Sequence, residues 1–413
     1  MYDLLIRDAT VYGRGEHLDV AVSEGVIREV APGIQAAARR EIQASGQLVT
    51  PGFVDSHMHL DKVLVTGKSE SKTLDEAIRN FTEYCRSLPE GSYQEDILTR
   101  ARQVVRKAVQ AGSTTLRTHV NIEASTGLSG IEALNVLREE LKNHVDILIT
   151  SLPNFFDGPE AQKKRLELVD YACRNHMIDF IGGAPHSHDN WAEITEQLFE
   201  LAARHQMPLD LHVDESDAPH VDNFEQVADL TLKYGMEGRV SCGHVTALNA
   251  VDDDTAARVI AKAKKADLHI ITLPSCNLYL MGRSDRQPIR RGVTRIREFL
   301  EAGVNISYAS DNIRDPFRPL GNGDMLEEGL LTAQVAQMVV PSDLETVFRM
   351  GTVNPARGMG LSGYGTDPGC RADLVILDAP SVPEALLSQC DRVAVIKNGR
   401  VVAGNHTCSY NAF

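Results

Sequence analysis

Apolar residues in this 413-residue chain fall into short runs of two kinds. From residue 1 to about 50 the runs "YDLLIRDATVYG", "HLDVAVSEGVIREVAP" and "REIQASGQLVTPG" are broken by Gly, Asp and Pro, the pattern of short strands. The other end reads alike, in "ADLVILDAP" and "RVAVIKNGRVVAGN". The second places Asn-Gly between two apolar runs, a strong short-range hairpin signal. These ends are expected to pair into one small β domain, residues 1–50 with 366–413, around a large insertion at 51–365.

The insertion alternates. Strand-like runs are "LVTPGFVDSH", "STTLRTHV", "DILITSLP", "DFIGGAP", "PLDLHVD", "RVSCGHV", "LHIITLP" and "NISYASD". Helix-like stretches such as "EDILTRARQVVRKAVQAG", "LNVLREELKNH", "AEITEQLFELAARHQ" and "TAARVIAKAKKA" separate them. Eight strands alternating with helices predict a (β/α)8 barrel, an α/β fold with its chemistry at the C-terminal ends of the strands. Those ends carry His57 and His59, then His119, Asn154, His186 with His188, His212 with Asp214 and Glu215, His244, Ser275 with Asn277, and Asp311 with Asn312.

A single histidine is ordinarily structural. Histidines recurring at one end of five or six strands point to a metal. In "PGFVDSHMHLDK" the i, i+2 spacing turns His57 and His59 the same way. With His212 and Asp311 they supply three imidazole nitrogens and a carboxylate oxygen, a set for one divalent ion, Zn or Fe, with Mn also admitted. Water on such an ion ionises near neutrality. Glu215, three residues after His212, is placed to shuttle a proton, and His244 to orient the hydroxide or polarise the substrate. Two-metal sites in such barrels often use a lysine near the end of strand 4. "DFIGGAPH" has none, which points to a single ion.

Composition narrows the partners. The net charge is −15 with no basic cluster, which argues against nucleic acid and anionic membranes. The seven cysteines are scattered and show no CxxC spacing, as in a reducing compartment. No signal peptide and no membrane-length apolar run is apparent, so a soluble cytoplasmic protein is expected. G-x-S-x-G, a P-loop and the H-x-E with P-C-x-x-C deaminase signature are absent.

"PGFVDSHMHLDK", followed by later histidines and an aspartate, resembles the amidohydrolase superfamily, and the likeness runs over almost the whole chain. "LRTHVNI", "DLHVDESD", "GHVTAL", "YLMGRSDRQPIRRGVTRIREFLEAGVNI" and "ASDNIRDPFRPLGNGDM" resemble its cytosine deaminase branch. "ASDNIRD" and Lys62 also resemble N-isopropylammelide isopropylaminohydrolases. The resemblance implies a distorted barrel with a small β-sandwich made from both termini. It also implies metal ligands His57, His59, His212 and Asp311, catalytic roles for Glu215, His244 and Asp311, and an oligomer. Cytosine deaminases carry Gln at the strand-3 end and two acids at strand 8. Here Asn154 and the Asp311-Asn312 pair stand instead, so a ring other than plain cytosine is expected. Lys62, Arg283 and Phe317 are further candidates for substrate contact, although a salt bridge or packing role competes for each. The expected reaction is hydrolytic deamination of an amino-substituted heterocycle (pyrimidine, purine, pterin or triazine) by metal-bound hydroxide, releasing ammonia. N-alkyl or ring amide hydrolysis is the alternative.

Overall fold

The computed structural model describes residues 1–65, 71–123, 125–155 and 158–404. The last residues of the second terminal segment, Cys408 among them, lie outside these.

Strands from both ends of the chain share one sheet. Tyr2–Val11 pairs antiparallel with Gly15–Ser23 on one edge. Its other edge is divided: Ala38–Gln43 runs parallel to the first half and Leu48–Pro51 to the last residues. Leu374–Leu377 then joins antiparallel to Leu48–Pro51, which brings the two ends together. The Asn-Gly hairpin links Arg392–Lys397 to Arg400–Ala403, and both turn residues have positive φ, +48° at Asn398 and +74° at Gly399. That matches the twist a two-residue hairpin requires. Leu4, Ile6, Val20 and Val22 pack into one apolar cluster, while Leu5 and Ala21 pack into another on the opposite face.

The run "LVTPGFVDSH" is two strands rather than one. Leu48–Pro51 belongs to the terminal sheet, and Phe53–Met58 begins the parallel set. Gly52 lies between them, and only glycine fits there because a Cβ would lie 2.2 Å from the Thr114 side chain.

The eight parallel strands are β1 (Phe53–Met58), β2 (Ser113–Ile122), β3 (Asp146–Pro153), β4 (Ile181–Gly183), β5 (Leu209–Val213), β6 (Val240–His244), β7 (His269–Thr272) and β8 (Asn305–Tyr308). Helices intervene as the periodicity predicts. Tyr93–Gln110 buries Ile97, Ala101, Val104, Val105 and Ala108, a stripe at three- and four-residue spacing. The strand pairing divides the eight into a sheet of β1–β3 and a sheet of β4–β8. Single bridges join the two, Thr150 with Phe180 and Met58 with Asp311. Two sheets form where one barrel was expected because β4 is only three residues long and β1 meets β8 through that single bridge. Among the described residues no helix is long and apolar enough to cross a membrane.

Candidate active site

β1 is buried along its whole length, which fixes the rings that leave its end. His57 lies in the strand and His59 just beyond it. Asp311 follows β8, and its amide donates to the His57 carbonyl at 2.8 Å. His59 Nε2 lies 3.2 Å and His57 Nε2 3.7 Å from Asp311 Oδ1. His212, on β5, brings its Nε2 to 3.3 Å from His59 Nε2. The four side chains named from the sequence therefore converge.

Their hydrogen bonds are incomplete. Both His57 ring nitrogens, His212 Nδ1 and both Asp311 carboxylate oxygens are buried without a hydrogen-bond partner. Buried polar atoms are normally bonded, so this convergence suits a cation. Burial drives the pKa of His57, His59 and His212 well below 6.5, and neighbouring charged imidazoles or Lys62 push the same way. Neutral imidazole is the metal-binding form. Ligand atoms of His57, His59 and Asp311 lie within 4.8 Å of one another, as do those of His57, His119 and His212. His119, on β2, stacks 4.2 Å from His57 between ring centres. Its Nε2 is 2.9 Å from Asp210, whose carboxylate also meets the fully buried Arg117 at 2.9 Å.

Beside this cluster stand an acid and an imidazole. Glu215 Oε1 lies 3.3 Å from His244 Nδ1. Burial, reinforced by the Asp311 carboxylate, holds Glu215 well above the usual carboxyl range. Asn277 Nδ2 lies 3.0 Å from the same His244 nitrogen. An amide N–H donated to Nδ1 leaves the ring proton on Nε2, and His244 Nε2 is buried without a partner. Burial also lowers the His244 pKa to about 3. Asp214, His244 and Asp311 each adopt left-handed φ, +43°, +68° and +55°. Such backbone in non-glycine residues is costly and concentrates at functional sites.

One cavity of about 90 Å³ is lined by His59, His212, Glu215, His244 and Asp311. Asn154, Lys62, Asn312 and Phe317 line it as well. Lys62 Nζ sits 2.9 Å from His59 Nδ1 and 5.5 Å from the Phe317 ring centre. The Asn312 amide is engaged at both ends, donating to Asp315 at 2.7 Å and accepting from Cys276 at 3.6 Å. Arg283 lies outside this constellation. Its side chain is exposed, covers the Tyr279 ring at 4.3 Å and donates to the Tyr279 carbonyl. The sequence reading gave no part to Leu74, Ile78 and Phe81, from helix α1 (Leu74–Ser87), nor to Asn121 and Glu123, all of which line the cavity. Continuing the i, i+2 face of β2 outward from His119 reaches Asn121 and Glu123. The helix wall has no comparable signal in the strand pattern.

Against known proteins, a model described as "Amidohydrolase family" matches residues 93–403. The chain belongs to the amidohydrolase family. This amidohydrolase is 29% identical over 413 residues to N-isopropylammelide isopropyl amidohydrolase of Pseudomonas sp. (strain ADP), with 97% of each chain covered. It is 30% identical over 390 residues to pterin deaminase of Rhizobium rhizogenes, covering 93% of this chain and 87% of that one. Among solved structures, 5-methylcytosine deaminase of Klebsiella pneumoniae superposes with a TM-score of 0.91 at 28% identity, over 98% of this amidohydrolase and 99% of that chain. The protein is a hydrolase acting on C–N bonds other than peptide bonds.

Proposed function

We propose that this amidohydrolase removes an amino group from a nitrogen heterocycle by hydrolysis and releases ammonia. The observation that carries the reading is the Glu215–His244 pair on the wall of a cavity that His59, His212 and Asp311 also line, with His57 Nε2 3.7 Å from Asp311 Oδ1. The two parallel sheets, bridged at both junctions, are read as one closed (β/α)8 barrel. The terminal strands, within residues 1–50 and 366–413, form a separate small sandwich domain beside the catalytic segment 51–365.

His57, His59, His212 and Asp311 hold one divalent ion, Zn or Fe, with Mn also suited to this donor set. Bound there, the ion would supply Lewis-acid polarisation and lower the pKa of a water toward neutrality. Asp311 accepts the proton of the attacking water. Glu215, protonated in its buried position, delivers a proton to the ring nitrogen next to the carbon under attack. His244, with its proton on Nε2, donates to the oxygen developing negative charge. The proton taken up by Asp311 passes to the amino nitrogen, the C–N bond breaks as the hydroxyl proton returns to Glu215 and the carbonyl forms, and the nitrogen departs as ammonia. Phe317, Lys62 and Asn154 hold the ring.

The variant Glu215→Gln is expected to retain its metal and to lose turnover by roughly 10²-fold or more. Metal content and ammonia release against aminopyrimidines, aminopurines, aminopterins and aminotriazines test this. Near wild-type turnover in the variant rejects the assignment.

A second reading keeps the metal and changes the leaving group. Leu74, Ile78 and Phe81 form an apolar cavity wall suited to an alkyl substituent, and a relative named above is an N-isopropylammelide isopropyl amidohydrolase. Alkylamine in place of ammonia among the products selects this reading.

A further inference from the structure

Arg117, His119, Asn121 and Glu123 occupy alternate positions of β2 and its exit, and so step outward along one face. Arg117 is the buried floor beside Asp210, and His119 stacks on His57. Asn121 is fixed by two contacts, its own amide donating to Asp61 at 2.9 Å and its Nδ2 donating to Glu123 Oε1 at 2.9 Å. At about 3.3 Å per residue, Glu123 stands roughly 13 Å beyond His119 along the strand. It therefore faces the outer end of the cavity, away from the cluster around His57.

Glu123 is only 6% exposed, and Asn121 is its one side-chain partner among the described residues. Its Oε2 has no protein donor among the described residues, so a carboxylate there can accept a further hydrogen bond from a molecule in the cavity. Glu123 lines the active-site cavity and, with Ile78 and Asn154, also lines an adjoining outer pocket. It stands where the two spaces meet.

Resting on the proposed deaminase reading, we propose that Glu123, held by Asn121, is a specificity-determining residue that accepts N–H or O–H hydrogen bonds from the end of the substrate farthest from the reacting carbon. The preferred substrate then carries donors at that end, either on the ring edge or on a substituent reaching the outer pocket. The pairing is charge-assisted, so its loss reads out as a change in binding of roughly 10- to 100-fold.

The test compares wild type with Glu123→Gln and Glu123→Ala on matched pairs of compounds. One pair is 5-methylcytosine and 1,5-dimethylcytosine, which differ in a ring N–H. The other is 6-hydroxymethylpterin and 6-methylpterin, which differ in a substituent O–H. Both KM from ammonia release and Kd from calorimetry are measured. The expected result is a KM raised roughly 10- to 100-fold by either substitution for the donor-bearing member of one pair, with kcat within about twofold and no change for its partner. The pair that responds identifies whether the ring edge or the substituent supplies the donor. Equal losses on both members of each pair, or no loss on any compound, overturn the proposal. If no compound is turned over, the Kd values decide it. Donor-dependent binding that Glu123→Gln abolishes sustains the role of Glu123 while rejecting deamination, and donor-independent binding overturns both.

Discussion

At the scale of single residues, the proposed mechanism turns on which nitrogen of His244 carries the proton. Its Nδ1 faces the Asn277 amide and Glu215, so the proton belongs on Nε2 toward the cavity. Replacing Asn277 by Asp keeps the size and reverses the hydrogen bond. A carboxylate at that place draws the ring proton to Nδ1 and leaves Nε2 without a donor. The Asn277→Asp variant is expected to lose roughly 10²-fold or more in kcat, as when a catalytic imidazole is held in the wrong tautomer. Its metal content should be unchanged. Steady-state kinetics with metal analysis checks both halves, and an unchanged kcat would show that His244 does not act through Nε2–H. Asn277 lay among the strand-end residues visible in the sequence, but its role was not. That role depends on the short helix Pro274–Leu280 turning the side chain onto His244, a tertiary fact that strand periodicity does not encode.

At the scale of elements, the strand ends were legible because a parallel strand buried on both faces reads as a plain apolar run. His57, His212, His244 and Asp311 follow from that reading together with the rule that function gathers at C-terminal strand ends. The close fit between neighbouring strands is not legible. Gly243, on β6, is an example: a Cβ there would stand 3.0 Å from His57 Cε1 and 3.2 Å from Nδ1. Its hydrogen is part of the seat for the His57 ring. Gly243→Ala is expected to fold, to tilt that ring, and to weaken metal retention by about tenfold, the scale of disturbing a residue that positions a ligand. Competition with a chelator measures it, and wild-type retention would show that His57 does not need this seat. The wall from α1 was likewise hidden. An amphipathic helix shows which face is apolar, but not whether that face covers a core or a cavity.

At the scale of the molecule, the terminal sheet is tied to the parallel strands by a buried ionic knot. Lys397 Nζ meets Asp146, at the start of β3, at 2.7 Å and Asp373 at 2.8 Å. Arg371 reaches the same two carboxylates. Lys397 is fully buried, whereas the Asp146 side chain is 32% exposed, so water offsets part of any loss. Lys397→Met is expected to cost about 3 kcal/mol of stability, the low end for breaking a buried pair. Its kinetic constants should be unchanged, because the knot joins the start of β3 and the catalytic side chains leave strand ends on the other side. Chemical denaturation and kinetics on one preparation test this, and equal denaturation midpoints would mean that Arg371 alone holds the joint.

The bridge between Met58 and Asp311 carries a further consequence. It joins the first parallel strand to the segment after the last, and ligand side chains stand on both sides of the seam. An ion held there, as proposed, would tie distant parts of the folded chain together across nearly the whole parallel set. Such an ion would leave when the site is lost, so its binding free energy would add to the stability of the folded set. Loss of such an ion would therefore be a loss of stability as well as of chemistry. With such an ion bound, the seam would part only when the site itself breaks; without it, the set would be free to open at its narrowest join.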